Sequence, residues 1–234
     1  ALVTEKAFPE NEAFARMALP ASTPEFGETQ VVYERRIGPR SQYEVAVPFN
    51  ARYAFGQWNH GLGDITVGFK HVLVQHPARG SIFSAGTDMT FPTGKEVEGL
   101  GRRLTVFEPS GTFSQILPSD AFVHVQLGFE VPLNVATANN EFYWRAAVGK
   151  TLVERSWGRA WSPMVEVLVV RELEFGARGR WDILPEIQVT LSRRQHVAVS
   201  GGVRVPLNMR LGRRPTVMFQ VLWDWFDGGI FSGW

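Results

Sequence analysis

A period-two alternation of apolar and polar residues recurs along this 234-residue chain and limits the folds open to it. In FVHVQLGFEV, residues 122–131, one side carries Val123, Val125, Leu127, Phe129 and Val131, and the other carries polar residues or glycine. Successive side chains of a β-strand point to opposite faces, so this segment has one apolar and one polar face. A soluble sheet would bury the apolar face in a core, whereas a membrane barrel would turn it toward lipid.

The alternation predicts eleven long strands. They cover residues 29–37, 42–53, 62–74, 81–91, 104–116, 120–131, 141–152, 161–172, 181–192, 195–206 and 215–226. A tilted strand needs about 9–11 residues to cross a bilayer. Strands of soluble proteins are usually about 5–6 residues long, so strand length favours the membrane barrel over a soluble sandwich.

Charged residues in the middle of these strands fall on the polar face. We expect a lumen to be lined by Glu44, Asp64, Lys70, Asp88, Glu108, Glu130, Arg145, Glu166, Glu186, Arg204 and Asp224. We expect lipid to contact Val125, Leu127, Phe129, Ile187, Val189, Val199, Phe219 and Trp223. A Lys or Arg on the lipid face would cost about 2–4 kcal/mol at the bilayer midplane, which explains the segregation. The excess of acids predicts either a cation-leaning pore or a narrow interior filled by paired charges.

Short and long connections alternate along the chain. Residues 38–41, 76–80, 117–119 and 193–194 are short, and residues 54–61, 92–103, 132–140, 173–180 and 207–214 are longer. Outer-membrane barrels have short periplasmic turns and longer outer loops, with an even strand number. Eleven strands therefore require one more, for which EAFARMAL at 12–19 is the candidate.

The predicted fold is all-β: a closed up-and-down antiparallel transmembrane β-barrel of about 12 strands, located in the outer membrane of a Gram-negative-type envelope. The barrel takes residues 29–234, and residues 1–28 form a lead-in with the candidate first strand. The sequence also allows this lead-in to form a helix or a plug. The aromatic C-terminus, Trp234, agrees with an outer-membrane protein.

Composition excludes several other classes. The chain has no cysteine, so it holds no disulfide or thiolate metal site. It has no apolar run of about 18 residues, so no transmembrane helix is expected. The balance of 24 Lys+Arg against 23 Asp+Glu gives no electrostatic case for nucleic acid.

No catalytic or metal-binding pattern stands out. None of the five histidines is followed two residues later by serine, and His196 and Ser200 lie four residues apart on one strand, about 13 Å. Such a distance is too long for direct proton transfer. We therefore expect no enzyme, no cofactor and no metal.

Two segments resemble a known group. GLGDITVGFKHVL at 61–73 and FPTGKE at 91–96 resemble the outer-membrane barrels of the MetA-pathway-of-phenol-degradation type, which are transporter-like proteins. The matching residues are Gly61, Gly63, Asp64, Gly68, Lys70, Phe91, Pro92, Thr93 and Gly94. The resemblance implies passage of small solutes. The ending WDWFDGGIFSGW also resembles chains from systems with c-type cytochromes, which implies an envelope partner of that kind.

Three functions follow from these observations. The first is a passive pore for small solutes, in which the lumen charges set selectivity and the loop 92–103 shapes or gates the outer mouth. The second is a barrel scaffold that anchors or insulates a cytochrome or another envelope protein without transport. The third is a soluble β-sandwich or lipocalin-like binder.

Overall fold

The computed structural model describes residues 1–21, 26–54, 56–133, 138–154, 159–192, 196–208, 213–226 and 228. Trp234 and the short turn expected at 193–194 lie outside these residues. Across the described residues the strands are β1 Glu12–Pro20, β2 Phe26–Ile37, β3 Ser41–Ala54, β4 Gln57–Leu62, β5 Ile65–His76, β6 Ser81–Phe91, β7 Val106–Leu117, β8 Ala121–Pro132, β9 Glu141–Lys150, β10 Leu152–Glu154, β11 Arg159–Glu172, β12 Arg180–Thr190, β13 Val197–Pro206 and β14 Thr216–Asp224.

One antiparallel sheet closes on itself. Most strands pair with their neighbours along the chain, β3 pairs with both β4 and β5, β14 pairs with β1, and the pairing of β9 with β11 completes the ring. β4 and β5 occupy one position beside β3, and β9 and β10 occupy one position beside β11. The wall therefore has twelve positions, and the predicted closed twelve-strand barrel is confirmed.

The distribution of polar and apolar side chains is the reverse of that in a soluble protein. Gln126 and Glu166 face inward and keep 3% and 0% of their surface exposed, whereas outward-facing Leu127, Ile187 and Phe219 keep 49%, 40% and 48%. Soluble proteins bury apolar side chains and rarely bury unpaired charges. A continuous apolar exterior around a polar interior is the pattern of a transmembrane barrel. The soluble sandwich and lipocalin-like alternatives are therefore wrong.

The two rims of the barrel differ. We call the rim with the short connections 38–40, 77–80 and 118–120 the turn end, and the opposite rim the loop end. Gly38 and Gly80 adopt φ values of 68° and 65° in two of these tight connections, a left-handed conformation that glycine adopts without steric cost.

One expected loop is largely a strand. Residues 54–61 were expected to form a longer connection, but β4 pairs with β3 from Gln57 onward, so the β3–β4 hairpin extends the wall at the loop end. Within the described part of the chain, no helix has the length and apolar character needed to span a membrane.

Candidate functional site: the barrel lumen

The expected lumen residues lie mostly on inward strand positions. Ten of them share a face with buried wall residues: Glu44, Lys70, Asp88, Glu108, Glu130, Arg145, Glu166, Glu186, Arg204 and Asp224. The expected lipid contacts lie on the opposite, outward positions: Val125, Leu127, Phe129, Ile187, Val189, Val199, Phe219 and Trp223. Asp64 is the exception. It lies between β4 and β5, and its carboxylate accepts a hydrogen bond from the Gly94 amide in the loop after β6.

Six carboxylates lie side by side across neighbouring strands, and we call this series the acid row. The backbone registers that align it are Asp224↔Glu12, Glu12↔Glu34, Glu34↔Glu44, Glu44↔Gly68, Gly68↔Asp88 and Asp88↔Glu108. Gly68 interrupts the series. A β-carbon at Gly68 would lie 2.2 Å from Asp88 Oδ1 and 2.5 Å from Glu44 Cγ. The glycine therefore lets both carboxyl side chains use the space over β5.

The acid row rises from the turn end toward the loop end. Asp224 ends β14 and Glu12 begins β1, both at the turn end, whereas Glu108 is near the loop-end start of β7. Ladder hydrogen bonds run perpendicular to the strands, and barrel strands tilt by about 35–45° from the axis. A row that follows the ladder is therefore a spiral. Six steps of about 4.8 Å at that tilt raise it by roughly 18 Å along the barrel axis.

Residues 1–11, which we call the N-terminal segment, run inside the barrel and do not join its wall. Leu2, Thr4 and Ala7 keep only 1%, 3% and 0% of their surface exposed. The segment extends from Asn11 at the turn end to Leu2 in the interior, where the Leu2 side chain packs against apolar residues of β11, β12 and β14. The lumen thus contains a stretch of the chain's own backbone.

Two glutamates hold the inner tip of the N-terminal segment through its main chain. Glu166 Oε1 accepts hydrogen bonds from the amides of Leu2 at 2.8 Å and Val3 at 3.0 Å, and Glu166 Oε2 accepts from Thr4 at 2.6 Å. Glu186 Oε2 accepts from the Leu2 amide at 3.0 Å. Hydrogen bonds to charged groups contribute about 1.5–3 kcal/mol each. These contacts fix the path of the backbone without selecting a side chain.

Three further wall side chains accept main-chain amides along the N-terminal segment. Gln126 Oε1 accepts from Glu5 at 3.3 Å, Ser114 Oγ from Ala7 at 2.9 Å, and Gln42 Oε1 from Glu10 at 2.6 Å. The acceptors belong to β8, β7 and β3, whereas Glu166 and Glu186 belong to β11 and β12. The segment is therefore fixed from several sides of the barrel.

Two lysines connect the N-terminal segment to carboxylates. Lys70 Nζ of β5 lies 2.8 Å from Glu5 Oε1 and donates to the Lys6 carbonyl at 2.9 Å. Lys6 Nζ contacts Glu10 and lies 3.3 Å from Glu12 Oε2 in the acid row. Carboxylate oxygens of Glu10, Glu12 and Asp224 lie within 4.8 Å of one another, so the Lys6 ammonium supplies positive charge where acids converge.

Two cavities meet at the N-terminal segment. One, of about 630 Å³, is lined by the segment and by the wall strands with the acid row, and the other, of about 660 Å³, opens toward the loop end. Val3 and Arg145 line both cavities. Seven carboxylates and four Lys or Arg side chains line the first cavity. Three carboxylates and five arginines line the second.

Ion pairs neutralise much of the charge in the loop-end cavity. Arg204 Nη2 and Arg213 Nη2 lie 2.6 Å and 2.5 Å from the Asp182 carboxylate, and Arg180 Nη2 lies 2.7 Å from Glu141 Oε1. In the acid row, by contrast, the nearby lysines pair mainly with the N-terminal segment. Among the described residues, no ion pair engages Glu44, Asp88 or Glu108, so the unpaired carboxyl groups of the acid row are concentrated along this stretch.

A serine–histidine pair also lies inside the barrel. Ser114 Oγ is 2.7 Å from His124 Nδ1 across β7 and β8, so the pair depends on strand register and leaves no pattern within one strand. The same hydroxyl accepts the Ala7 amide, and the rings of Phe8 and Phe122 flank the imidazole. Among the residues described, no carboxylate hydrogen-bonds to His124, so the pair has the geometry of an anchor for the segment. The absence of enzyme activity stays a prediction.

The segments 61–73 and 91–96 meet at the loop end. Asp64 accepts hydrogen bonds from the amides of Gly94 at 2.9 Å and Arg102 at 2.6 Å, and Thr93 Oγ1 donates to the Gly63 carbonyl at 2.9 Å. Asn50 Nδ2 donates to the Leu100 carbonyl at 2.9 Å. The long loop after β6 is thus pinned to the wall, and the Asp64 carboxylate is engaged in that fold.

Comparisons with known proteins identify the fold. No protein-family model matches the sequence, and no curated protein matches it. Among solved structures, the NanC porin covers 92% of this chain and 100% of its own with a TM-score of 0.61 at 9% identity. The KdgM porin covers 91% and 98% with a TM-score of 0.57 at 8% identity, and KdgM in complex with disordered oligogalacturonate gives 0.59 at 7%. This chain shares the transmembrane barrel fold of these porins.

Proposed function

We propose that this protein is a passive outer-membrane pore for small hydrated solutes, with its turn end toward the periplasm. The observation that carries the proposal is a closed barrel with a polar, charged interior that holds two cavities of about 630 and 660 Å³. An eight-stranded barrel is filled by its side chains, whereas twelve strands enclose a wider lumen. Short turns at one rim and longer loops at the other give the orientation.

The acid row supports a preference for cations over anions. Rings and rows of Asp and Glu favour cations in membrane pores because they replace part of the attraction that hydration supplies. Oligogalacturonate, named with the KdgM porin, is acidic, and a lumen with this row is poorly suited to such a solute. Small cations and neutral polar molecules fit the charge of this interior better.

Single-channel recording in planar bilayers tests the pore. We expect discrete conductance steps and, in a KCl gradient, a reversal potential displaced toward that of K⁺. Replacing Glu44 and Glu108 by Gln should move the reversal potential toward zero. The matched control is Glu172→Gln, which removes a carboxylate from the loop-end cavity and should change the reversal potential less. Equal anion and cation permeability in the parent protein would refute the cation preference.

Two finer predictions stay proposals. A place among the MetA-pathway-of-phenol-degradation barrels is supported by the contact of Asp64 with Gly94, which joins the two resembling segments. The scaffold alternative, with a c-type cytochrome or another envelope protein as partner, has no specific contact surface to favour it among the described residues. Copurification of a haem protein would favour that alternative over the pore.

A further inference from the structure

We propose that the N-terminal segment is a tethered plug that closes the pore and must leave its wall contacts before solutes pass. The inference rests on the proposed pore function and adds a gate to it. Its main observation is the position of residues 1–11, which lie within the lumen where the two cavities meet and contact wall strands from several sides.

The plug can leave without breaking the barrel. Residues 1–10 form no rung of the β-ladder, so every hydrogen bond between wall strands survives their departure. It is held mainly by side-chain acceptors, by Lys70 and by one buried leucine. Water can replace those polar partners once the segment moves, whereas it cannot replace ladder bonds at membrane depth.

A fixed hinge defines the direction of movement. Asn11 Oδ1 accepts a hydrogen bond from the Arg36 amide at 3.0 Å, Asn11 Nδ2 donates to the Phe226 carbonyl at 2.5 Å, and the Asn11 carbonyl accepts the Trp225 amide at 3.1 Å. These bonds fasten the segment at the turn end. Ten residues span at most about 33–36 Å when extended, enough for residues 1–10 to swing out through that rim.

Side chains of the barrel wall bind the N-terminal segment through its main-chain amides. Amides of Leu2, Val3, Thr4, Glu5, Ala7 and Glu10 all bond to wall side chains. Glu166 alone receives three of them, so removing its carboxylate should loosen the tip more than any other single change. The plug also places the Lys6 ammonium 3.3 Å from Glu12 Oε2, so departure of the plug removes a positive charge from the acid row.

Thiol labelling of the folded protein measures where the plug is, independently of conductance. The chain has no cysteine, so Ala7→Cys introduces a single thiol at a position with 0% exposure. Because labelling requires local opening, a water-soluble maleimide should react at least about tenfold more slowly there than at Val97→Cys, where the native residue is 95% exposed. Adding Glu166→Ala should raise the rate at position 7, and adding the matched Glu172→Ala should not. Equal rates at positions 7 and 97 would overturn the proposal.

Cross-linking then tests whether the plug controls passage. Ser84 Oγ donates a hydrogen bond to the Ala7 carbonyl, so Ala7→Cys with Ser84→Cys can be bridged by a short bifunctional thiol reagent. We expect the bridged protein to lose its conductance steps and Glu166→Ala to spend more time open than the parent. The reagent should leave conductance unchanged when only Ala7→Cys is present.

The outcomes separate the plug from the pore. Conductance that is equal before and after bridging would leave the pore intact and refute the plug. If no variant conducts, including Glu166→Ala with its thiol at position 7 exposed, the pore proposal fails and the gate fails with it.

Discussion

Lys70 of β5 and Glu5 of the N-terminal segment form an ion pair 2.8 Å long inside the barrel, and it joins the wall to the chain that fills it. The Lys70 side chain keeps only 6% of its surface exposed, and the same ammonium donates to the Lys6 carbonyl. The pair therefore bears both on the stability of the plugged barrel and on how firmly the plug is held.

Replacing Lys70 by Met should lower the free energy of unfolding by about 3 kcal/mol, because a carboxylate loses its partner in a confined interior. The Glu5 side chain keeps 26% exposure, which sets this estimate at the lower end of the range for buried pairs. Urea unfolding in lipid vesicles measures the loss. The double variant with Glu5→Gln should be more stable than Lys70→Met alone, as a double-mutant cycle would report. An unchanged Lys70→Met protein would contradict the assigned role.

Gly68→Ala should destabilise the barrel by about 1–3 kcal/mol, because the added methyl group overpacks the acid row. Its β-carbon would lie 2.2 Å from Asp88 Oδ1, so the carboxyl side chains must move. Gly201→Ala is the matched control, since a β-carbon there finds nothing closer than 4.0 Å. Thermal loss of the folded band on a detergent gel compares the two. Equal effects at both glycines would argue against crowding at Gly68.

A charged residue on the outer face should lower the free energy of unfolding by more when it lies deeper in the bilayer. Leu127 lies mid-strand in β8, and Leu127→Arg should cost about 2–4 kcal/mol. Leu117 ends β7 at the turn end on the outward face, and Leu117→Arg should cost about 0–1 kcal/mol, because depth sets the penalty. Equilibrium unfolding in vesicles measures both. Similar costs would show that the face around Leu127 does not contact the hydrocarbon core.

Asp64→Ala should release the loop after β6, because the Asp64 carboxylate accepts amides from both ends of that loop, Gly94 and Arg102. Trypsin should then cut faster at Lys95, Arg102 and Arg103. Glu98→Ala removes only the exposed Lys95–Glu98 pair, and exposed pairs contribute about 0–1 kcal/mol. The two variants should therefore differ in cleavage rate, as peptide mapping would record. Equal rates would mean that Asp64 does not pin the loop.

Strand faces could be predicted because alternation is a local property. Gln126 and Leu127 are adjacent, and the strand geometry alone sends one inward and the other outward. The twelve-strand count followed from turn lengths and the even-number rule. Prediction was weakest where alternation stops: the two residues Gly63 and Asp64 separate β4 from β5, and Asp64 turns to the loop.

The acid row and the plug depend on contacts between distant parts of the sequence. Glu12 meets Asp224 only because the first and last strands pair, and nothing in the residues around either one specifies that register. Leu2 meets Glu166 only once the ring has closed. The sequence leaves strand, helix and plug open for residues 1–28, because no long-range contact can be read from them.

The inclined course of the acid row has a consequence for anything that crosses an opened lumen. A ring of carboxylates at one depth would create a single deep well, from which a cation escapes slowly. Here successive carboxylates lie at successive depths, so a cation would meet them one after another. Rapid permeation needs attraction strong enough for entry and weak enough for exit, and carboxylates spread along the axis suit that requirement better than a ring at one depth.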